Sequence, residues 1–330
     1  MTTNRQDMDV WKPVETGGDV IRELTRVSAI EAEARPEPMA SDTKRVRRSG
    51  DFDVAGVAKG AEYGFDMNSN DYVELIAAKV GGLRKFAEED LGGDVEGGET
   101  LLAETERQAM NALAVTFDQG AIGTTADRNG TTVLWRSIYY TLATADGGAG
   151  ADPPLGSYAA NANIAQWYNA DVAADGKVGY TSISDFLAIY EEGPYYDEGN
   201  SVIIASPAWK RVLRNVLDGN GRPYWVDGQD NLFGYRIRWT VGARKHATTT
   251  KNPTGSPLLV IANKDLIIKG NAKLTPSMVN ANPGVAIQRA INGIGFTSDE
   301  AIFKAAMRRG FVLGEPRGAA ILEYNAGSAP

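Results

Sequence analysis

The chain has 330 residues, no cysteine and a single histidine, and its 34 basic and 42 acidic side chains give a net charge of −8. Disulfides, thiolate metal sites and multi-histidine metal centres are therefore excluded. His246 lies in a polar stretch that we expect to be an exposed loop. There is no apolar run of about 18 residues and no signal-peptide core, so we expect no membrane segment and a cytosolic origin. We also expect no cofactor.

Residues 1–44 hold few apolar clusters and mixed charges, unlike the rest of the chain. Within them Val20, Ile21, Leu24 and Val27 share one face of a possible helix. Such a segment cannot offset its own ordering entropy, so we predict an arm that lies across another surface. The polar, glycine-punctuated residues 51–62 favour a long projecting hairpin.

Apolar periodicity after Thr100, a candidate cap, predicts the longest helix over about 96–117. The elements predicted next are a strand or short helix at 133–144, a loop at 146–162, a helix at 181–190 and a buried strand at 201–205.

The clearest helical pattern starts at Ser206 as the N-cap and Pro207 as the first helical residue. Its apolar positions are Trp209, Val212, Leu213, Val216 and Leu217. Alternating or short apolar runs predict strands at 236–241, 258–262, 266–269, 301–313 and 319–324. The pattern is α+β, with strands dominating the carboxyl half.

Two motifs suggest chemistry only weakly. Residues 218–222 resemble the start of a calcium loop, but Gln229 occupies the position that needs a bidentate glutamate, which favours a helix stop and turn. The acidic, aromatic loop 190–198 would support glycoside hydrolysis only if two carboxyls faced each other about 5–10 Å apart across a cleft. A surface loop is the simpler interpretation.

One order of motifs is typical of a known family. A strand ending at Ser206-Pro207 is followed by a helix, then by the turn Gly221-Arg222-Pro223, then by the strand start Leu232-Phe-Gly234-Tyr235. This arrangement resembles the HK97-like major capsid proteins of tailed bacteriophages. The resemblance covers roughly residues 44–324 and rests on the order of the parts rather than on a single motif.

The resemblance implies an HK97-like capsid fold of four parts. They are an amino-terminal arm at 1–44, an extended loop (E-loop) at 45–79, a peripheral domain with a long spine helix at 80–126 and 265–316, and an axial domain at 127–264 and 317–330. Lys59 stands where an E-loop lysine would be, but the asparagine and catalytic glutamate of a subunit cross-link have no match here. We therefore assign no cross-link.

The resemblance also implies a structural protein of the virion without enzymatic activity. Copies would assemble as hexamers and pentamers, in the host cytoplasm, into an icosahedral shell around packaged double-stranded DNA. A scaffolding protein and a portal are expected partners, a decoration protein is a further candidate, and the acidic chain would contact DNA only weakly. Two alternatives stay open: an encapsulin-like protein compartment, and a polysaccharide-cleaving enzyme that uses the 190–198 loop.

Charge distribution suggests how copies attract one another. Residues 51–106 carry a net −10 and residues 207–245 a net +5, and a heterologous contact can join two unlike patches around a ring. We predict that acidic residues of one subunit meet basic residues of the next. The candidate inter-subunit residues are Val20, Ile21, Leu24, Val27, Lys59, Arg211, Arg214 and Arg222. Gly221 and Pro223 are expected to form a structural turn, because glycine commonly ends a helix and proline prevents its continuation.

Overall fold

The structure is a computed structural model, which describes residues 27–49, 56–62, 70–87, 98–144, 159–168, 180–214, 223, 225–226, 228–272, 280–282, 285–290 and 300–325. The helices are α1 Ala29–Glu33, α2 Gly98–Ile122, α3 Ile138–Thr144, α4 Tyr180–Glu191 and α5 Trp209–Leu213. The strands are β1 Arg35–Met39, β2 Thr43–Ser49, β3 Asn70–Ala87, β4 Ile164–Tyr168, β5 Ser201–Ala205, β6 Asn231–Leu232, β7 Tyr235–Trp239, β8 Leu258–Asn263, β9 Ile267–Ala272, β10 Asn280–Asn282, β11 Val285–Ala290, β12 Glu300–Leu313 and β13 Ala319–Asn325. The predicted α+β class is confirmed.

One sheet of six strands, in the order β4-β13-β8-β5-β7-β6, is covered on both faces. On β5, Val202 and Ile204 belong to one apolar core while Ile203 and Ala205 belong to another. This double burial explains why the strand is a continuous apolar run rather than an alternating one. Helices α4 and α5 pack on the second core through Phe186, Tyr190, Trp209 and Leu213.

The other sheet has seven strands and is organised around β12. Strand β12 pairs with β11 and then β9 along one side, and with β3 along residues 300–310. Strand β3 is 18 residues long: its first seven residues pair with β2 and its remainder with β12. Strand β2 therefore pairs with the part of β3 that lies beyond β12. The sequence-predicted hairpin at 51–62 falls between these two strands and only partly within the described residues, where 56–62 form no strand.

Helix α2 lies between the two sheets and carries the centre of the first core. Phe117 packs edge-on against Trp135 at 5.1 Å and against Phe311 at 6.4 Å between ring centroids. The helix begins two residues before Thr100, and it ends five residues beyond the predicted end. It is the longest helix in the described part of the chain.

The described end of the predicted arm, residues 27–44, packs on its own chain. Ala29 and Ile30 of α1 are buried in the first core, and β1 pairs in parallel with β9. Val27, by contrast, is 74% exposed and lies outside α1. The other three residues of the predicted apolar face, Val20, Ile21 and Leu24, lie outside the described residues.

Two local predictions are wrong. His246 is half-buried rather than in a solvated loop, because its backbone N–H donates to Gly123 O at 2.9 Å and its segment packs on the end of α2. Ser206 does not cap a helix: α5 starts at Trp209 after a turn, and the buried Ser206 hydroxyl makes no hydrogen bond. The helix 181–190 and the strand 201–205 are confirmed.

Candidate assembly surfaces

A buried carboxylate fastens the amino-terminal segment to α2. The Asp118 side chain accepts hydrogen bonds from the Ser28 hydroxyl, from Ala29 N at 3.0 Å and Ile30 N at 3.2 Å, and from Thr240 Oγ1 at 2.5 Å. The Ser28 oxygen also accepts from Glu31 N at 3.0 Å, so it caps α1 at the same time. Burial raises the pKa of Asp118 above its ordinary value, although these hydrogen bonds act in the opposite direction.

Two further carboxylates hold α1 from its other end. Glu31 contacts Lys269 Nζ at 2.9 Å and Arg309 Nε at 2.5 Å. Glu33 contacts Arg238 Nε at 2.6 Å and Lys264 Nζ at 3.4 Å. Burial alone would raise the pKa of each glutamate, but the neighbouring cations outweigh it and hold both pKa values below the ordinary one.

The root of the β2–β3 hairpin has its own small core and its own charge network. Met39, Leu75 and Val312 are buried together there. Arg48 pairs with Asp71 at 2.5 Å and with Glu315 at 3.3 Å. Glu315, which is almost fully buried, also accepts a hydrogen bond from Arg317 Nε at 3.1 Å. The β2–β3 strand pair is thus held on the rest of the chain by both apolar and ionic contacts.

Other side chains in this region are exposed. Lys59 is exposed in a turn, and Tyr72 is 42% exposed with Arg45 stacked 4.2 Å above its ring centroid. Leu83, on the part of β3 that pairs with β12, is 70% exposed. Exposed apolar side chains that are scattered singly are ordinary on protein surfaces, so these residues do not by themselves mark an interface.

The predicted basic surface divides into two parts. Arg236 and Arg238 pair with Glu33, and Lys245 pairs with Glu323, so these cations are satisfied within the chain. On α5, Lys210 is half-buried and stacks on Trp239 with Nζ 4.9 Å from the ring centroid, while Arg211 is exposed. Arg214, directly after α5, is exposed as well. Arg211 makes no ion pair within the described part of the chain.

The predicted turn after α5 is only partly described. Gly221 and Arg222 lie outside the described residues, and Pro223 is exposed. The next motif, Leu232-Phe-Gly-Tyr235, forms a tight hairpin between β6 and β7, in which Phe233 and Gly234 both have positive φ of 52° and 89°. Positive φ at both central residues is the signature of a type I′ turn.

The acidic, aromatic loop does not form an enclosed site among the described residues. Glu191, Glu192, Asp197 and Glu198 are all exposed. The Tyr235 hydroxyl donates to Glu191 at 2.6 Å, and burial together with this hydrogen bond raises the pKa of Tyr235. Two clefts of about 640 and 780 Å³ lie elsewhere, one beside the hairpin root and one beside α2, and neither is lined by this loop.

Among the described residues, no group of three or more histidine, aspartate or glutamate side chains is arranged to hold a metal ion. No helix in the same part of the chain is both long enough and apolar enough to cross a membrane.

The fold is similar to that of the capsid of the GTA particle and to structures from several phages. No protein-family model and no curated protein sequence matches the chain. Solved structures do match it over almost its whole length.

Three of these solved structures illustrate the similarity. The capsid of the native GTA particle has 14% sequence identity and a TM-score of 0.63, with 99% of each chain covered. A structure from Mycobacterium phage Adephagia has 14% identity and a TM-score of 0.63, with 100% of each chain covered. A structure from Gordonia phage Cozz has 15% identity and a TM-score of 0.60, covering 95% of this chain and 91% of that one.

Proposed function

We propose that this chain is a major capsid protein, the repeating subunit of an icosahedral phage shell. The observation that carries the proposal is the match of the whole fold, end to end, to the capsid of the GTA particle. A shell subunit needs surfaces that contact its own copies rather than a reactive cleft. The exposed Val27 and Arg211 are candidates for such contacts. In this role the chain forms hexamers and pentamers that enclose double-stranded DNA.

The parts of the capsid fold follow from this role. Residues 1–44 contain the arm, 45–79 the E-loop, 80–126 and 265–316 the peripheral domain, and 127–264 with 317–330 the axial domain. The buried contacts of α1 support placing the free arm before Ser28 rather than at residue 44.

Contacts between copies use apolar side chains of the arm and exposed basic side chains. The arm residues Val20, Ile21, Leu24 and Val27 pack on a neighbouring subunit, and the exposed Val27 supports this. Arg211, Arg214 and Arg222 meet carboxylates of another copy, and Lys59 lies at the E-loop contact. Because the chain is acidic overall, its contact with packaged DNA is weak and non-specific.

Other partners belong to the assembly pathway. A scaffolding protein, a portal and a decoration protein act with the shell, which forms in the host cytoplasm and becomes part of the virion. Gly221 and Pro223 act as a structural turn in the axial domain.

Electron microscopy of the purified full-length chain tests the proposal. We expect closed shells of uniform diameter, either from the chain alone or after co-expression with a scaffolding protein. A monomer of 35.4 kDa under every assembly condition would overturn the proposal. Shells that contain a protein cargo instead of DNA would favour the compartment alternative.

A further inference from the structure

One face of the strand pair β3–β12 carries cations that lie opposite one another. The register places Lys79 opposite Arg308 and Leu83 opposite Lys304. Residues that are directly opposite share a face of the sheet, and so do residues four positions apart on one strand. The intervening residues of β12, such as Phe303, pack in the first core. The four side chains therefore lie on the other face, which we call the cationic sheet face.

The charge on this face is only partly neutralised within the chain. Like charges directly opposite each other destabilise a strand pair, so the pair of Lys79 and Arg308 has an energetic cost. Arg308 contacts Asp42, whereas Lys79 and Lys304 make no ion pair with the described residues. Leu83, beside them, is 70% exposed. One exposed leucine marks no interface by itself, but together with unpaired cations it complements an acidic partner that also carries apolar side chains.

The acidic, aromatic loop has this complementary chemistry. Its four carboxylates are exposed, and none of them makes an ion pair with a described residue, on the cationic sheet face or elsewhere. They are Glu191, Glu192, Asp197 and Glu198. Two large apolar side chains of the same region are exposed as well, Ile189 at 36% and Tyr196 at 39%. One chain thus carries two unlike surfaces that match each other in charge and in apolar character.

Two other pairings fit these surfaces less well. On α5 the apolar side chains Trp209, Val212 and Leu213 are buried, so that helix offers Arg211 as a charge without an exposed apolar neighbour of its own. DNA phosphates match the cations of the sheet face but give Leu83 no apolar partner. The acidic, aromatic loop of another copy matches both features.

We propose that the acidic, aromatic loop of one copy binds the cationic sheet face of the next copy. Two different surfaces joined in this way form a heterologous contact, which each copy makes once with each surface and which can close into a ring. The inference rests on the proposed function, because an assembling subunit repeats the contact around each capsomer. Since the contact includes exposed charges, salt weakens it.

Chemical cross-linking of assembled shells tests the contact directly. The sequence has no cysteine, so a chain with both Lys79→Cys and Glu192→Cys carries only the two introduced thiols and keeps Leu83 and Tyr196. With a flexible bismaleimide we expect covalent multimers in denaturing gel electrophoresis. Each single substitution is a control and should stay monomeric. A double variant that stays monomeric in shells overturns the contact, and multimers from a single substitution overturn it too, because like surfaces would then meet.

Charge exchange separates this contact from other roles of the same side chains. We expect Lys79→Glu with Lys304→Glu to lose closed shells, and Glu192→Lys with Glu198→Lys to lose them as well. The chain with all four changes should form shells again, since both surfaces are reversed together. If it does not recover, the pairing is wrong. If the change at the half-buried Lys304 prevents folding, Lys79→Glu and Glu192→Lys alone give the same comparison.

A control and two further outcomes complete the test. Arg128→Glu with Lys251→Glu makes an equal charge change at two other exposed sites and should assemble as the unmodified chain does. Intact shells that lose only their DNA when the sheet face is reversed would assign that face to phosphate and overturn the contact. If the unmodified chain forms no shells under any condition, the proposed function fails instead, and cross-linking of the concentrated free chain then decides the contact.

Discussion

At the scale of single residues, the turn between β6 and β7 is decided by backbone conformation. Gly234 has a φ of 89° and no atom within 4 Å of where a Cβ would lie, so only conformation restricts this position. Gly82 on β3 has equally open space and no positive φ. Comparing alanine substitutions at the two glycines therefore isolates the effect of backbone conformation, because a Cβ is not crowded at either position.

We expect Gly234→Ala to lower the free energy of unfolding by about 1–2 kcal/mol, because an L-residue is strained in the left-handed region. Gly82→Ala should leave it within about 0.5 kcal/mol or raise it slightly. Urea unfolding of both variants checks this. Equal losses would show that the conformation at Gly234 is not the constraint.

Ser28 combines two roles in one hydroxyl, as cap of α1 and as donor to Asp118. We expect Ser28→Ala to cost about 1–3 kcal/mol, since it removes the cap and leaves the buried carboxylate with one donor fewer. Thermal and urea unfolding provide the measurement. Ser41→Ala, which loses an exposed hydrogen bond to Thr43 O at 2.6 Å, is the control and should change stability little.

At the scale of elements, α1 makes stability depend on pH with a sign that can be worked out. The folded-state pKa values of Glu31 and Glu33 are lowered by Arg309 and Lys269 and by Arg238 and Lys264, against the effect of burial. Their contribution is present above the unfolded pKa of about 4.3 and is lost as the pH falls through the lowered folded values.

We expect the stability difference between the unmodified chain and Glu33→Gln to be constant near neutral pH and to shrink below about pH 4. Asp118, whose pKa is raised by burial, acts with the opposite sign, so its contribution grows as the pH falls. Comparing the two proteins at each pH cancels the Asp118 effect. A difference that does not vary between pH 3 and 7 would contradict the role of Glu33 as an ion-pair partner.

The boundary between arm and body gives a prediction about truncation. Deleting residues 1–26 should leave the body folded, because the described contacts of the amino-terminal region start at Ser28, but it should prevent stable shells. Deleting residues 1–39 removes α1 and β1 with the buried Ile30 and Met39, and should cost at least about 3 kcal/mol. Unfolding curves and electron microscopy of both truncations distinguish the two outcomes. Shells of unchanged stability from the shorter deletion would show that the arm is dispensable.

At the scale of the whole molecule, the exposed Arg211 on α5 tests whether charge attracts copies to one another. We expect Arg211→Glu to reduce the yield of shells while leaving the unfolding free energy nearly unchanged, because Arg211 is exposed. One exposed ion pair contributes only about 0–1 kcal/mol, so the effect comes from repetition around each capsomer. Assembly of the unmodified chain should accordingly weaken at high salt.

Light scattering and microscopy measure that effect. The control is Arg128→Glu, an equal charge reversal at another exposed site. If both variants assemble as the unmodified chain does, apolar contacts rather than charge drive assembly.

The sequence alone determined most elements, because their signals are local. The apolar run 201–205 could only be a buried strand, and the helical spacing of Ile183, Phe186, Leu187 and Tyr190 fixed both the helix and its buried face. The order of motifs around Ser206-Pro207 and Leu232-Phe-Gly-Tyr235 was enough to predict the capsid fold that the structural comparisons support.

Only the tertiary structure decided which side chains meet. Glu31 and Arg309 are 278 positions apart, and no spacing rule links them. Arg236 and Arg238 belong to the basic segment 207–245, which the sequence predicts to meet carboxylates of a neighbouring copy. The fold instead pairs both with Glu33 of the same chain, and no spacing rule predicts this. Helices and strands follow from periodicity within one segment, whereas an ion pair depends on where separate elements pack. That placement belongs to the fold as a whole.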